Sequence, residues 1–276
     1  MKKFLLILFL VLCPLFLASG CGSNNVQRVG VIEYSNVTEN DFNQFYNEFV
    51  KSRKDNLTYE FTFFPNVNSM IAALQSGRID SVGAYESVAK YFVDTNPEFE
   101  YEIVSPPMSD VFCCAMREED KALKNEFDYA ISEITADGTL AALVKKYIAE
   151  IHFRHAPPVI ELPEFYNKSM VKIGVTGDLP ALDFIRPDGK PSGFNTALLA
   201  EISKRIEKNF ILVQIDGGAR ALALASGKVD VIFWAVTPEG TEILPPDFDK
   251  PPGAILTKPY FSDKLVLMKL RTGKNK

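Results

Sequence analysis

Apolar residues arrive in two rhythms along this chain. Short apolar or β-branched runs at 28–32, 59–64, 80–84, 101–104 and 111–116 predict strands. Between them Phe42, Phe45, Tyr46, Phe49 and Val50 recur at helical spacing behind Thr38-Glu39-Asn40-Asp41, a helix start. Asn68 or Ser69 caps a second helix that stops at Gly77, and a third runs over 87–93 until Asn96-Pro97. Helices over 119–135 and 139–149, parted at Gly138, complete the first half. The second half repeats the alternation. Strands are predicted at 171–176, 210–215 and 229–234, helices at 195–206 and 219–226, and a last apolar strand at 265–270. Alternating strands and helices predict an α/β fold with a largely parallel sheet.

One stretch occurs twice. Ala73-Leu74-Gln75-Ser76-Gly77-Arg78-Ile79-Asp80 returns as Ala223-Leu224-Ala225-Ser226-Gly227-Lys228-Val229-Asp230, and Arg28-Val29-Gly30-Val31 returns as Lys172-Ile173-Gly174-Val175. Each copy of the longer motif reads as a helix end, a glycine stop and an entry into a strand. Ligands of such sheets gather beyond the carboxyl ends of the strands. That points to the loop Glu33-Tyr34-Ser35-Asn36 and to Tyr85-Glu86.

The amino terminus breaks the rhythm. Met1-Lys2-Lys3 leads into an apolar run from Phe4 to Leu17, shorter than the roughly 20 residues of a bilayer span and suited to a secretory signal. Leu17-Ala18-Ser19-Gly20-Cys21 resembles a lipobox, with Ala18 where leucine is usual. Residues 1–20 are thus expected to be a lipoprotein signal, Cys21 the lipidated mature terminus and 21–27 a polar tether. The chain would then be anchored to the membrane by lipid on the extracytoplasmic side. The formal charge of −5 becomes more acidic when Lys2 and Lys3 leave, which argues against nucleic acid as a partner. Cys113 and Cys114 lie in an apolar strand and read as buried free thiols. His152 and His155 fall in a proline-bearing connector without further ligand spacing, and no phosphate loop, Gly-x-Ser-x-Gly or Cys–His arrangement is present. No metal or cofactor is expected.

Ala73–Asp80, Val88-Ala89-Lys90-Tyr91, Asn96-Pro97 and Ala136-Asp137-Gly138-Thr139-Leu140 with Lys145-Lys146-Tyr147 resemble the second lobe and closing helices of the extracellular solute-binding proteins of polar amino-acid ABC transporters. Pro187-Asp188-Gly189-Lys190-Pro191-Ser192-Gly193-Phe194-Asn195, the second repeat copy, Thr237-Pro238-Glu239 and Pro259-Tyr260-Phe261-Ser262 are similar to that family's first lobe. The resemblance implies a two-lobed periplasmic-binding-protein type II (Venus-flytrap) fold. The order of the lobes is inverted, so a circular permutation is expected. Residues 28–109 would form the second lobe and 110–276 the first, including a connector over 151–170. Only one covalent crossing, near Pro106 to Asp110, would then join them.

The resemblance also implies an interlobe cleft for a small polar solute, delivered by a monomeric binding protein to an ABC permease. The family's usual clamps are missing. Gly240, Thr241 and Glu242 stand where an arginine for the solute's α-carboxylate is expected, and Tyr85 where an aspartate for its ammonium is expected. Thr176, Asp178, Leu179, Thr237, Tyr34, Ser35, Tyr85 and Glu86 are expected on cleft-facing loops. Trp234 could stack on a flat or cationic group, and Arg220 could replace the missing anion partner. Two alternatives share the fold: a cyclohexadienyl-dehydratase-like enzyme working through Glu86 and Asp178, or a ligand-sensing lipoprotein.

Overall fold

The computed structural model describes residues 26–52, 58–105, 107–150, 158–240 and 243–271. The expected signal, Cys21, and His152 and His155 lie outside them. The first half runs β1 (Val26–Ile32), α1 (Glu39–Ser52), β2 (Thr58–Phe64), α2 (Val67–Gln75), β3 (Ser81–Tyr85), α3 (Glu86–Thr95) and β4 (Phe99–Ile103). β5 (Ser109–Arg117) leads to α4 (Lys121–Ala136) and α5 (Thr139–Val144), which ends in a π-helical turn, Lys145–Ala149. Next come β6 (Met170–Val175), a small sheet of β7 (Asp178–Leu179), β8 (Asp183–Ile185) and β9 (Pro191–Ser192), and α6 (Phe194–Ile206). β10 (Asn209–Gln214), α7 (Arg220–Ala225), β11 (Val231–Glu239), β12 (Ala254–Leu256) and β13 (Phe261–Leu270) complete the fold. Among the described residues no helix is long and apolar enough to cross a membrane.

The large strands form one ten-stranded sheet with path β10-β6-β11-β5-β13-β3-β1-β2, β12 joining β5 and β4 joining β13. It divides into two halves of matching order. In one, β2-β1-β3 are parallel and β13 runs antiparallel between β3 and β4. In the other, β10-β6-β11 are parallel and β5 runs antiparallel between β11 and β12. Each half borrows its antiparallel strand from the chain that built the other. The strand order is therefore the same whichever half comes first, and the expected inversion of the lobes rests on sequence motifs alone.

One expectation is corrected here. Two strands, not one, cross between the halves. β5 passes out near Asp110, and β13 returns. Phe261 to Lys264 pair with β5, while Leu265 to Leu270 pair with β3 and β4. Residues 265–270 thus complete the first half's sheet rather than the second's. The crossing was missed because an apolar strand at a chain end carries no local sign of which sheet it joins.

The duplicated stretch folds alike in both places. Gly77 and Gly227 both sit at φ +70°, the left-handed stop that a side chain disfavours. Asp80 and Asp230 then tie each helix stop to its first strand. Their N–H groups donate to Arg28 O and Lys172 O at 2.8 Å, and their carboxylates accept from the N–H of Arg28 and Lys172 at 2.9 Å.

The exposed edge at β2 is closed by α1. Asn43 donates to Phe61 O and accepts from Phe61 N, and Asn47 does the same with Tyr59. One turn earlier, Glu39 accepts from Phe63 N at 2.7 Å. These three residues lie at i, i+4 and i+8, one stripe of the helix, and they occupy the ladder groups that would otherwise invite another strand. Asn43→Ala frees an amide and a carbonyl of buried Phe61 at once. It is expected to cost about 2 kcal/mol, measured by urea unfolding, and to increase self-association on sizing columns.

Candidate functional site

The carboxyl ends of the parallel strands in both halves meet along one boundary. From the first half come the β1 loop, 33–36, and the start of α2 after β2. From the second come the turn after β6, the turn after β10, the start of α7 and an irregular proline-rich loop over 243–253. Backbone groups join them directly. Gly217 N donates to Pro65 O at 2.8 Å and Asn36 N to Phe248 O at 3.0 Å. Val67 N donates to Asp178 Oδ2, and Asn36 Nδ2 donates to Asp247 O at 3.1 Å. Gly218 lies so close to the Glu33 carboxylate that a β-carbon would collide with it.

At the centre stands Arg220, 1% exposed. Its guanidinium spans Asp249 with a fork of 2.7 and 3.0 Å. The other donors go to Gly217 O, Trp234 O and Glu33 O at 2.9 to 3.0 Å. All five N–H donors of an arginine are thereby used. The guanidinium also lies 4.1 Å from the centre of the Trp234 ring, a cation–π contact in a desolvated place. The expectation that Arg220 faces a solute anion is thus corrected: an anion does sit on the fork, but the chain supplies it from 29 residues downstream.

Beside this pair an apolar cavity of about 100 Å³ reaches from the first half to the boundary. Tyr34, Phe42, Tyr46 and Tyr85 line it from one half, Leu179 and Trp234 from the other. Tyr34 stacks on Phe42 and tilts against Phe248 with centroids 4.7 Å apart. Burial, and then the negative charge of Asp110, hold the Tyr34 hydroxyl well above the ordinary phenol range. The Trp234 indole N–H and the Ser35 hydroxyl are buried without a hydrogen-bond partner among the described residues.

Below the cavity lies an acidic group at the strand crossing. Asp110 on β5 is the ladder partner of Asp263 on β13, and both are buried. Tyr85 donates to Asp110 at 3.0 Å, and Ser87 donates its hydroxyl and N–H to Asp263. Burial pushes the Asp110 carboxyl up to about 7 and that of Asp263 to about 6, with neighbouring carboxylates adding to the rise.

The remaining expected site residues divide. Tyr34, Tyr85, Leu179 and Trp234 come together around the cavity. Ser35 reaches the boundary through its N–H, on Asp249 at 2.9 Å, and Asp178 through its carboxylate on Val67, with burial raising that carboxyl. Thr176 instead turns inward to Asp183, by N–H and hydroxyl. Thr237 pairs with Val111 in the β11–β5 ladder, and Glu86 stands 3.8 Å from Lys264. Neither Thr237 nor Glu86 is part of the cavity wall. Sequence reasoning missed Asp110, Phe248 and Asp249. The one available sign was Phe248, an aromatic residue between Pro245-Pro246 and Pro251-Pro252 in a loop otherwise suited to solvent.

Comparison with known proteins adds to this geometry. The family model described as bacterial extracellular solute-binding proteins, family 3, matches residues 41–150 and 171–242. A probable histidine-binding protein of Campylobacter jejuni is 30% identical over 101 residues, 37% of this chain and 36% of that protein. The matched stretch thus spans about a third of that relative's length. Among solved structures, the ligand-binding component of an ABC-type import system from Staphylococcus aureus, with zinc bound, aligns at a TM-score of 0.43 and 14% identity, over 88% of this chain and 66% of that one. An alkanesulfonate-binding protein of Xanthomonas axonopodis pv. citri, bound to MOPS, aligns at 0.41 and 12%, over 90% and 66%. With the family model matching well over half of its residues, this chain belongs to the bacterial extracellular solute-binding proteins of family 3.

Proposed function

We propose that the protein captures a small polar, amino-acid-like solute at the boundary between its halves and delivers it to an ABC permease. In this reading Cys21 carries the lipid that holds the chain at the outer face of the membrane, the protein acts as a monomer, and the chain is a circular permutation of the family's usual order. The observation that carries the binding role is the meeting of both halves' strand ends around Tyr34, Tyr85, Leu179 and Trp234. The likeness to a histidine-binding relative supports an amino-acid-like solute. A cavity of about 100 Å³ has room for about three waters, so a larger solute enters as the halves part and is held as they close.

A thermal-shift screen over amino acids, polyamines, small acids and nucleosides tests this. The true solute at a hundred times its dissociation constant stabilises the fold by about 2.7 kcal/mol. If no compound class moves the transition, the solute-binding reading fails. Loss of uptake of the identified solute on deletion distinguishes transport from sensing, and turnover of it would move the case to an enzyme.

A further inference from the structure

Trp234 is 2% exposed and lines the apolar cavity, and its indole N–H has no hydrogen-bond partner among the described residues. A donor buried unpaired costs free energy that a ligand's acceptor recovers. The walls around it are otherwise poor in polar groups. Tyr85 spends its hydroxyl on Asp110 at 3.0 Å, and the Tyr46 hydroxyl stands 4.0 Å from Met108 Sδ. Tyr34 keeps its proton, because burial holds its hydroxyl well above the ordinary phenol range. Val29 of β1, Val82 of β3 and Met268 of β13 add buried apolar wall. Among the described residues no Asp, Glu, Lys, Arg or His lines the cavity. A charged group there would lose its hydration without gaining a partner. Size narrows the choice further. The cavity's volume of about 100 Å³ is roughly two-thirds that of an apolar cavity of about 150 Å³ that holds benzene.

We infer that this cavity is a binding pocket for an uncharged apolar group of about four or five heavy atoms with a hydrogen-bond acceptor beside it, and that Trp234 donates its indole N–H to that acceptor. As a statement about the solute, this rests on the solute-binding reading above and narrows it. The amino-acid-like molecule then carries a short or branched aliphatic side chain rather than a charged one. As a statement about the cavity, it needs no solute.

Trp234 is the chain's single tryptophan, so one indole N–H resonance reports on the pocket. Butanone and its isostere 2-methylbut-1-ene share one outline and differ in a carbonyl oxygen against a methylene. Each is titrated in sealed tubes into the full chain, with labelled tryptophan and valine observed by NMR. Both probes are expected to move the methyl resonances of Val29, Val31 and Val82, which line the cavity. Butanone alone should move the indole proton downfield. Trp234→Phe keeps an aromatic wall without the donor. It is expected to weaken butanone roughly tenfold, the ketone oxygen being left buried and unpaired, and to change the alkene less than about threefold. Should the variant not fold, the indole shift in the parent decides. Valine methyls that neither probe moves overturn the inference, as does a bound ketone that leaves the indole resonance in place, or equal weakening of both probes by Trp234→Phe. If both probes bind as expected while the screen finds no solute, the solute-binding reading alone fails. A solute that binds without moving the indole resonance overturns the inference and leaves that reading intact.

Discussion

Arg220→Met is expected to destabilise the fold by about 3–5 kcal/mol, the cost of leaving a buried carboxylate uncompensated. Methionine fills much of the same volume, so packing against Trp234 largely persists while the charge and its donors go. Asp249 then keeps only the N–H groups of Ser35 and Val236, and the carbonyls of Glu33 and Trp234 lose the guanidinium, while Gly217 O loses its Nε bond and keeps the backbone N–H of residue 220. Urea denaturation measures the loss. Adding Asp249→Asn to Arg220→Met removes the stranded charge, so the double variant should be more stable than Arg220→Met alone. The non-additivity expected for groups in direct contact is about 1–3 kcal/mol. A loss below about 1 kcal/mol for Arg220→Met would mean that water reaches the pair and that the boundary is not sealed as described.

This pair also marks where reading along the chain stops being informative. The duplicated helix stop was legible because it is local. A glycine at a left-handed position, a cap and a strand entry sit within a few residues, and the geometry repeats at Gly77 and Gly227. The alternation of elements was legible for the same reason, with boundaries shifted by a few residues, as at β11, which runs on to Glu239. What binds Arg220 was not. Its carboxylate lies across a loop with no periodicity, and its carbonyl partner Glu33 is 187 residues away. The same holds for Asp110 and Asp263, which lie just outside the strands predicted at 111–116 and 265–270 and become neighbours only when two strands cross. The short strands β7, β8, β9 and β12 are too brief to show a period-two pattern.

The site was legible by half for a related reason. Four of the residues expected from position, Tyr34, Tyr85, Leu179 and Trp234, line one cavity, because the carboxyl edge of a parallel sheet is a property of topology. The same rule said nothing about which way a side chain turns. Thr176 spends its hydroxyl on Asp183, and Thr237 sits in a ladder. Topology selects the neighbourhood, and hydrogen-bond satisfaction selects the residues left over for a solute.

Stability of the parent protein is expected to fall between about pH 4 and pH 7, and Asp110→Asn to remove a large part of that fall. The Asp110 carboxyl titrates near 7 in the folded chain, against 3.8 for an ordinary aspartate, chiefly because burial penalises its charge. Between those values the folded state binds more protons than the unfolded state, so unfolding free energy decreases as pH rises. The difference of about 3 units, at 1.36 kcal/mol each, amounts to about 4 kcal/mol once pH exceeds 7. Asp263 and Asp183, both raised to about 6 by burial, act in the same direction and broaden the slope. Asp80 is held below the usual range by its hydrogen bonds to Arg28, and Asp137 by those to Thr139 and Arg205. They act oppositely, below about pH 4, so the optimum falls near pH 4 to 5 rather than at neutrality. Asparagine at position 110 still offers the Tyr85 hydroxyl an acceptor and carries no charge to bury. Urea denaturation across pH 4 to 8 should therefore find the variant little changed at pH 4 and markedly more stable than the parent at pH 8. Parallel profiles for the two proteins would mean that the strand crossing is wet, with its facing carboxylates screened by solvent.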